Sequence, residues 1–306
     1  MTRLLLPVSR HLAWLSMSYT PNATAFGVFR ILFAFSLLVK PIHYNWVANV
    51  PDEFYNAGPG LQLIYGGVPS EWYVEALQSL HFLTAAWLLI GWRTAAASIS
   101  VVAVHILGNA AVYSFSKVDH SILYDLLPLF MAAAGWGAKV SIDSRNRSRA
   151  TSGYPLVLWS IVIAFAFATA AAAKFISGWW SPAHFGAWSY VAEGYLWSDQ
   201  KGVLAGFALD HSNPLLWKLL DWATLFAEGW LFIAILSPAL LRIGLLLLPI
   251  FHLSVFLTLN INFAPYVFVY APFFLIPPSL WWARSAFWPD YRALSESEIS
   301  VQKAGP

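Results

Sequence analysis

The sequence predicts an all-α integral membrane protein: a bundle of about eight transmembrane helices, with a short N-terminal interfacial helix and outer loops that roof a vestibule. Three observations predict it. Of 306 residues, 59% are hydrophobic and only 10% are charged, where a soluble domain carries about 25% charged residues. The mean hydropathy is +0.61. Several apolar runs reach the roughly 20 residues that a helix needs to cross a bilayer core. Those runs should be helical, because a span in lipid must satisfy its own backbone hydrogen bonds.

The elements follow in order. In residues 3–17 the apolar run is interrupted by Arg10 and His11, and no small-residue cleavage site follows. The stretch therefore reads as an amphipathic helix lying at the interface, not as a signal peptide. It makes residues 1–20 an N-terminal interfacial segment. Eight spans are expected over roughly 24–40, 72–91, 94–116, 119–137, 154–178, 214–236, 239–259 and 262–282, within a transmembrane domain of 21–285. The third and fourth carry more polar residues than the others. A polar tail, 286–306, closes the chain. Two long segments, 41–71 with NVPDEFYNAGPG and 179–213 with WWSPAHFGAWSYVAEGYLW, are too apolar for solvated linkers. They are expected to pack on the outer membrane surface.

Charge sets the orientation. With the N-terminus inside, the inner segments hold eleven basic residues: Arg3, Arg10, Arg93, Lys139, Arg145, Arg147, Arg149, Arg242, Arg284, Arg292 and Lys303. The outer ends and loops hold five: Lys40, Lys117, Lys174, Lys201 and Lys218. An excess of Lys and Arg marks the cytoplasmic side, so both termini are expected in the cytoplasm. A net charge of +2 suggests no nucleic-acid partner. The chain has no cysteine, which excludes disulfides, thiolate nucleophiles and cysteine-based metal sites.

Ionisable residues inside spans are the functional candidates. They are Arg30, His81, His105, Asp125, Lys174, Glu228 and His252, with Asp119 and His120 at a span end. Lys174 lies twenty residues after Tyr154, about 30 Å along a helix and so near the outer surface. Two readings stand for it. A lysine near a helix end can send its ammonium to the headgroups, or it can face inward as a neutral base. Asp119 suits a helix N-cap, and His120 beside it suits the interface. A structural account pairs Glu228 with Arg30 or a histidine. No HExxH or His-x-His is present, so the spacing gives no support to a metal site, and no G-x-S-x-G or phosphate-binding loop motif is present.

Four stretches in order, TAFGVFRILFAFSLLV (24–39), DHSILYDLLPLF (119–130), AAAKFISGWW (171–180) and FHLSVFLTLNINFAPYVFVYAPFFL (251–275), resemble the membrane half of the vitamin K-dependent gamma-glutamyl carboxylases. The wider group is the horizontally transferred transmembrane (HTTM) family, and the resemblance covers about residues 20–285. In the carboxylases the lysine pair of a stretch A-G-x-K-K-L-D-A-D-W supplies the base that deprotonates vitamin K hydroquinone. Its second lysine falls on Lys174 and its tryptophan on Trp179. An Asn-His-Ser stretch puts the anion-stabilising histidine on His120 and its asparagine on Asp119. The family's acidic residue falls on Glu228, and its Phe-His pair on Phe251 and His252. The chain departs at Asp119, at Ala173 in place of the first lysine, and at Ser177 and Gly178 in place of acidic residues.

The resemblance implies Lys174 and His120 as catalytic residues, and Asp119, Trp179, His252 and Glu228 around the cofactor. That cofactor would be a reduced quinone, vitamin K or menaquinol, used with dioxygen and carbon dioxide at a site open to the non-cytoplasmic face. The expected setting is a bacterial cell membrane. The carboxylases carry a large lumenal substrate-docking domain, while this chain reaches only a short tail past the last span. Its substrate would be a small molecule, or a peptide brought by a separate docking protein. Two other functions fit the same resemblance: maturation, export or immunity for a secreted peptide toxin of the sporulation-delaying type, and lipid or quinone binding without chemistry.

Overall fold

A computed structural model describes residues 2–55, 65–115, 121–146, 150–198, 201–211 and 213–289. Every regular element among them is helical. The α-helices are α1 (Thr2–Tyr19), α2 (Ala23–Val39), α3 (Glu71–Ile90), α4 (Thr94–Tyr113), α5 (Ser121–Ala134), α6 (Asp143–Asn146) and α7 (Tyr154–Ile176). They continue with α8 (Gly186–Trp197), α9 (Ala205–Asp210), α10 (Pro214–Ala234), α11 (Pro238–Leu259), α12 (Tyr266–Tyr270) and α13 (Arg284–Phe287). Among the described residues, α3, α4, α7 and α11 are each long and apolar enough to cross a bilayer. Val8–Tyr19 and α2 make a fifth only when taken together. These lengths and compositions are compatible with a helical membrane protein and point to membrane association.

The count of eight is not confirmed, for three physical reasons. The described part of the fourth predicted span, α5, has 14 residues and Pro128 inside it; that part, about 21 Å of helix, does not by itself reach across a bilayer core of about 30 Å. The start of that span at Asp119 and His120 lies outside the described residues. The sixth, α10, has the length but buries Lys218, Asp221 and Glu228 along it. The eighth, predicted as one helix over 262–282, is broken. Only α12 and two short 3₁₀ turns, Ala271–Phe274 and Pro278–Leu280, form there. Pro265, Pro272, Pro277 and Pro278 lack the N–H that a continuous helix needs. The predicted outer segment 179–213 differs the other way, since it contains α8 and α9. Most of the predicted tail, from residue 290, lies outside the described residues.

The chain forms two compact units, one of Thr20–Leu156 and one of Met1–Tyr19 with Val157–Pro306. In the first, α2 packs on α3, α3 on α4 and α4 on α5. Phe26, Phe29 and Phe33 lie on one face of α2 around Trp136. Arg30 is fully buried, and its guanidinium donates to the Leu88 carbonyl at 2.7 Å and the Val140 carbonyl at 2.6 Å. Leu88 is in the last turn of α3, whose carbonyls have no helical partner. Gly91 ends that helix with φ +73°, and a Cβ there would collide with the Arg30 guanidinium. So the first predicted partner for Glu228 is engaged on backbone.

In the second unit α10 packs on α11, and α8 packs on α9, α10 and α11. Asn213 caps α10 by accepting from Leu215 N at 2.9 Å, with Pro214 at the first helical position, where no N–H is needed. Arg242 is the counterpart of Arg30. It is fully buried and donates to the carbonyls of Phe273 (2.9 Å), Ser18 (2.8 Å) and Trp281 (3.4 Å).

Candidate functional site

Helix α7 ends in a stop written in its own sequence. Gly178 has φ +88°, which glycine adopts without a Cβ penalty. Gly178 N donates to the Phe175 carbonyl and Trp179 N to the Lys174 carbonyl, each at 3.1 Å. This pair of bonds is a Schellman motif, and it fixes Lys174 in the last turn with Trp179 folded back on it. The Lys174 ammonium lies 5.8 Å from the centre of the Trp179 ring, within cation–π range.

The ammonium faces inward. It donates to both oxygens of Glu228, at 2.8 Å to Oε1 and 2.7 Å to Oε2. The Glu228 side chain is 3% exposed and that of Lys174 is 24% exposed. Glu228 therefore pairs with Lys174, which corrects the expected pairing with Arg30 or a histidine. The inward reading of Lys174 describes its geometry better than headgroup anchoring does. A charge-assisted, two-oxygen contact of this kind is strong and orienting.

A second ion pair, which the sequence candidates did not include, ties the segment after α7 to α10. Lys218 donates to Asp221 Oδ2 at 2.7 Å, to the Trp179 carbonyl at 3.1 Å and to the His184 carbonyl. Asp221 accepts from Gly186 N (3.2 Å) and Ala187 N (2.7 Å), so it caps the start of α8 from another helix. Gly186 lies against the Trp179 ring with no room for a Cβ, and Tyr190 packs on the same ring at 5.6 Å. The signal available in the sequence was a lysine and an aspartate three residues apart in an apolar helix, which puts both on one face.

His252 sits among aromatic rings. It stacks on Phe263 at 4.2 Å and 13°, with Tyr266, Tyr270 and Phe167 at 5.5, 6.1 and 6.2 Å. It lines a cavity of about 660 Å³ with residues of α11, α12 and the turn between them. Lys174, Trp179 and Glu228 are not among the lining residues. The structure thus brings three sequence-predicted residues together, Lys174, Trp179 and Glu228, and places His252 in an aromatic cavity whose lining does not include them. Asp119 and His120 lie outside the described residues. Among the described residues no group of three or more His, Asp or Glu is placed to hold a metal ion. No family model matches the chain, and neither a curated protein nor a solved structure matches it.

Proposed function

We propose that the chain is an HTTM-type protein of the bacterial cell membrane that binds a reduced quinone and handles its proton with Lys174 and Glu228, as in a carboxylase-like quinol-coupled enzyme. In this reading α2, α3, α4, α5, α7, α10, α11 and the broken segment 262–282 make eight crossings. Both termini are cytoplasmic, and the Lys174 end of α7 faces the other side. The observation that carries the reading is the inward Lys174 ammonium, held on both oxygens of a buried carboxylate.

The aromatic cavity fits a quinone head group. Its rings offer stacking faces, Asn262 and Tyr266 supply polar atoms at its lining, and the Tyr270 hydroxyl is buried without a partner among the described residues. That hydroxyl can donate to a quinone oxygen. When bound, the quinol supplies the reducing power for oxygen chemistry. The chain's own part is proton control. Moving one proton from the Lys174 ammonium to the Glu228 carboxylate gives a neutral amine and a neutral acid. The pair keeps zero net charge, so burial does not oppose the transfer as it would oppose an isolated charge. The neutral amine is the base that the resemblance implies.

The test is purified protein with reduced menaquinone under air, with Lys174→Ala beside it, followed by mass spectrometry for the quinone epoxide. Epoxide from the parent protein alone is the expected result. Equal epoxide from folded Lys174→Ala would remove the lysine from the chemistry. A second reading, quinone or lipid binding without chemistry, is favoured by the separation of the cavity lining from Lys174. It leads if quinone binds and no epoxide forms.

A further inference from the structure

The unit Thr20–Leu156 carries a buried polar cluster that the candidate site does not use. Gln78 and His81 lie three residues apart on α3, and His105 and Asn109 four apart on α4, so each pair shares a helix face. Tyr44, in the segment after α2, is drawn in. Its N–H donates to Gln78 Oε1 at 3.1 Å, and its ring lies on Gly108, where a Cβ would collide with it. The His81 and His105 rings stack at 5.2 Å and 18°. His105 Nδ1 lies 3.3 Å from Asp125 Oδ1, and Asn109 Nδ2 donates to Asp125 Oδ2 at 2.6 Å. Tyr44, His81, His105 and Asp125 are all at most 2% exposed. His81 and His105 sit about 15 Å along their 20-residue helices.

Hydrogen-bond chemistry orients the rings. The Leu37 carbonyl can only accept, so His81 Nε2, 3.1 Å away, carries its hydrogen. The Asp125 carboxyl oxygen 3.3 Å from His105 Nδ1 favours the His105 hydrogen on that nitrogen, without a formed hydrogen bond between them. Each neutral ring then presents its other nitrogen as an acceptor: Nδ1 of His81 and Nε2 of His105. The Tyr44 hydroxyl and the Gln78 amide nitrogen are donors. These four buried atoms, like His105 Nδ1, have no hydrogen-bond partner among the described residues. Two donors and two acceptors in one cluster are the complement of a small molecule that both donates and accepts. Burial, and after it the Asp125 charge, pushes the Tyr44 phenol well above its ordinary range, so it stays a donor.

We propose that Tyr44, His81, His105 and Asp125 form a proton relay inside this unit, bridged by internal water held on the four open atoms. A proton is accepted at His105 Nε2 as the Nδ1 proton passes to Asp125 Oδ1. The ring ends neutral, the carboxylate becomes a carboxylic acid, and no electron moves. The titratable groups around the relay are His43 and Tyr44 from the segment after α2, His81 from α3, and His105 and Tyr113 from α4. Tyr124 and Asp125 from α5, and Tyr65, complete them, while α2 contributes the Leu37 carbonyl. His43, next to Tyr44 in the chain, is exposed.

The test is infrared difference spectroscopy on the full-length protein in phosphatidylcholine vesicles, stepped from mildly alkaline to mildly acidic pH. A carboxylic-acid C=O band should rise on acidification and be absent in Asp125→Asn. After a rapid acid step it should rise roughly a hundredfold more slowly in His81→Gln, the size of effect expected of a positioned proton-transfer group. An unchanged Asp125 carboxyl in the parent protein across that step overturns the relay without needing any variant. A band rising at the parent rate in folded His81→Gln also overturns it, and leaves the cluster a structural hydrogen-bond network.

Discussion

Lys174 and Glu228 are worth more to each other than either is to the fold alone. Breaking a buried ion pair by removing one partner leaves an uncompensated charge and typically costs about 3–5 kcal/mol, whereas replacing both by apolar residues is often neutral. Glu228 is the more buried partner, so Lys174→Ala should lower stability by about 3 kcal/mol in detergent-solubilised protein. The double variant Lys174→Met with Glu228→Leu should recover most of that loss. Equal unfolding midpoints for the parent and Lys174→Ala would mean that the pair contributes nothing. The Lys218 and Asp221 pair obeys the same physics with a different output, because its spare hydrogen-bonding capacity goes to backbone groups at residues 179–187. One pair presents an ammonium; the other holds the segment that follows it.

Among the elements, α4 shows how a distant side chain can start a helix. Arg93, at its N-cap position, is left-handed with φ 46° and caps nothing with its side chain. Asp143 does so instead, accepting from Arg93 N and Thr94 N at 2.7 Å each and from Thr94 Oγ1 at 2.8 Å. Asp143→Ala should therefore cost about 1–2 kcal/mol, as for loss of an N-cap, and speed hydrogen exchange in the first turn of α4. Unchanged protection of those amides would show that the cap is dispensable. Asp221 does for α8 what Asp143 does for α4. In both cases an aspartate serves a helix it does not belong to, which local sequence patterns do not register.

For the whole molecule, the absence of cysteine gives a direct test of topology, since each introduced thiol is unique. If both termini are cytoplasmic, a membrane-impermeant maleimide on intact cells should label Glu53→Cys and not Lys139→Cys, both exposed positions. Labelling in the opposite sense would invert the orientation drawn from the basic residues and move Lys174 to the cytoplasmic side.

Composition and periodicity by themselves determined that the chain is helical and suited to a membrane, because apolar length is a property of consecutive residues. They located the helices at 24–40, 72–91, 154–178 and 239–259 to within a few residues. Gly178 was in plain view as the stop of α7. The broken segment 262–282 was legible too, in its prolines, but hydropathy alone reads it as a span. Tertiary structure alone decided the partners. Lys174 met Glu228 across 54 residues, Lys218 held the Trp179 carbonyl across 39, and His252 lined an aromatic cavity with residues of neither pair. A buried charge must find a counter-charge or a carbonyl, but which one it finds depends on helix packing angles and rotamers that one-dimensional spacing does not encode.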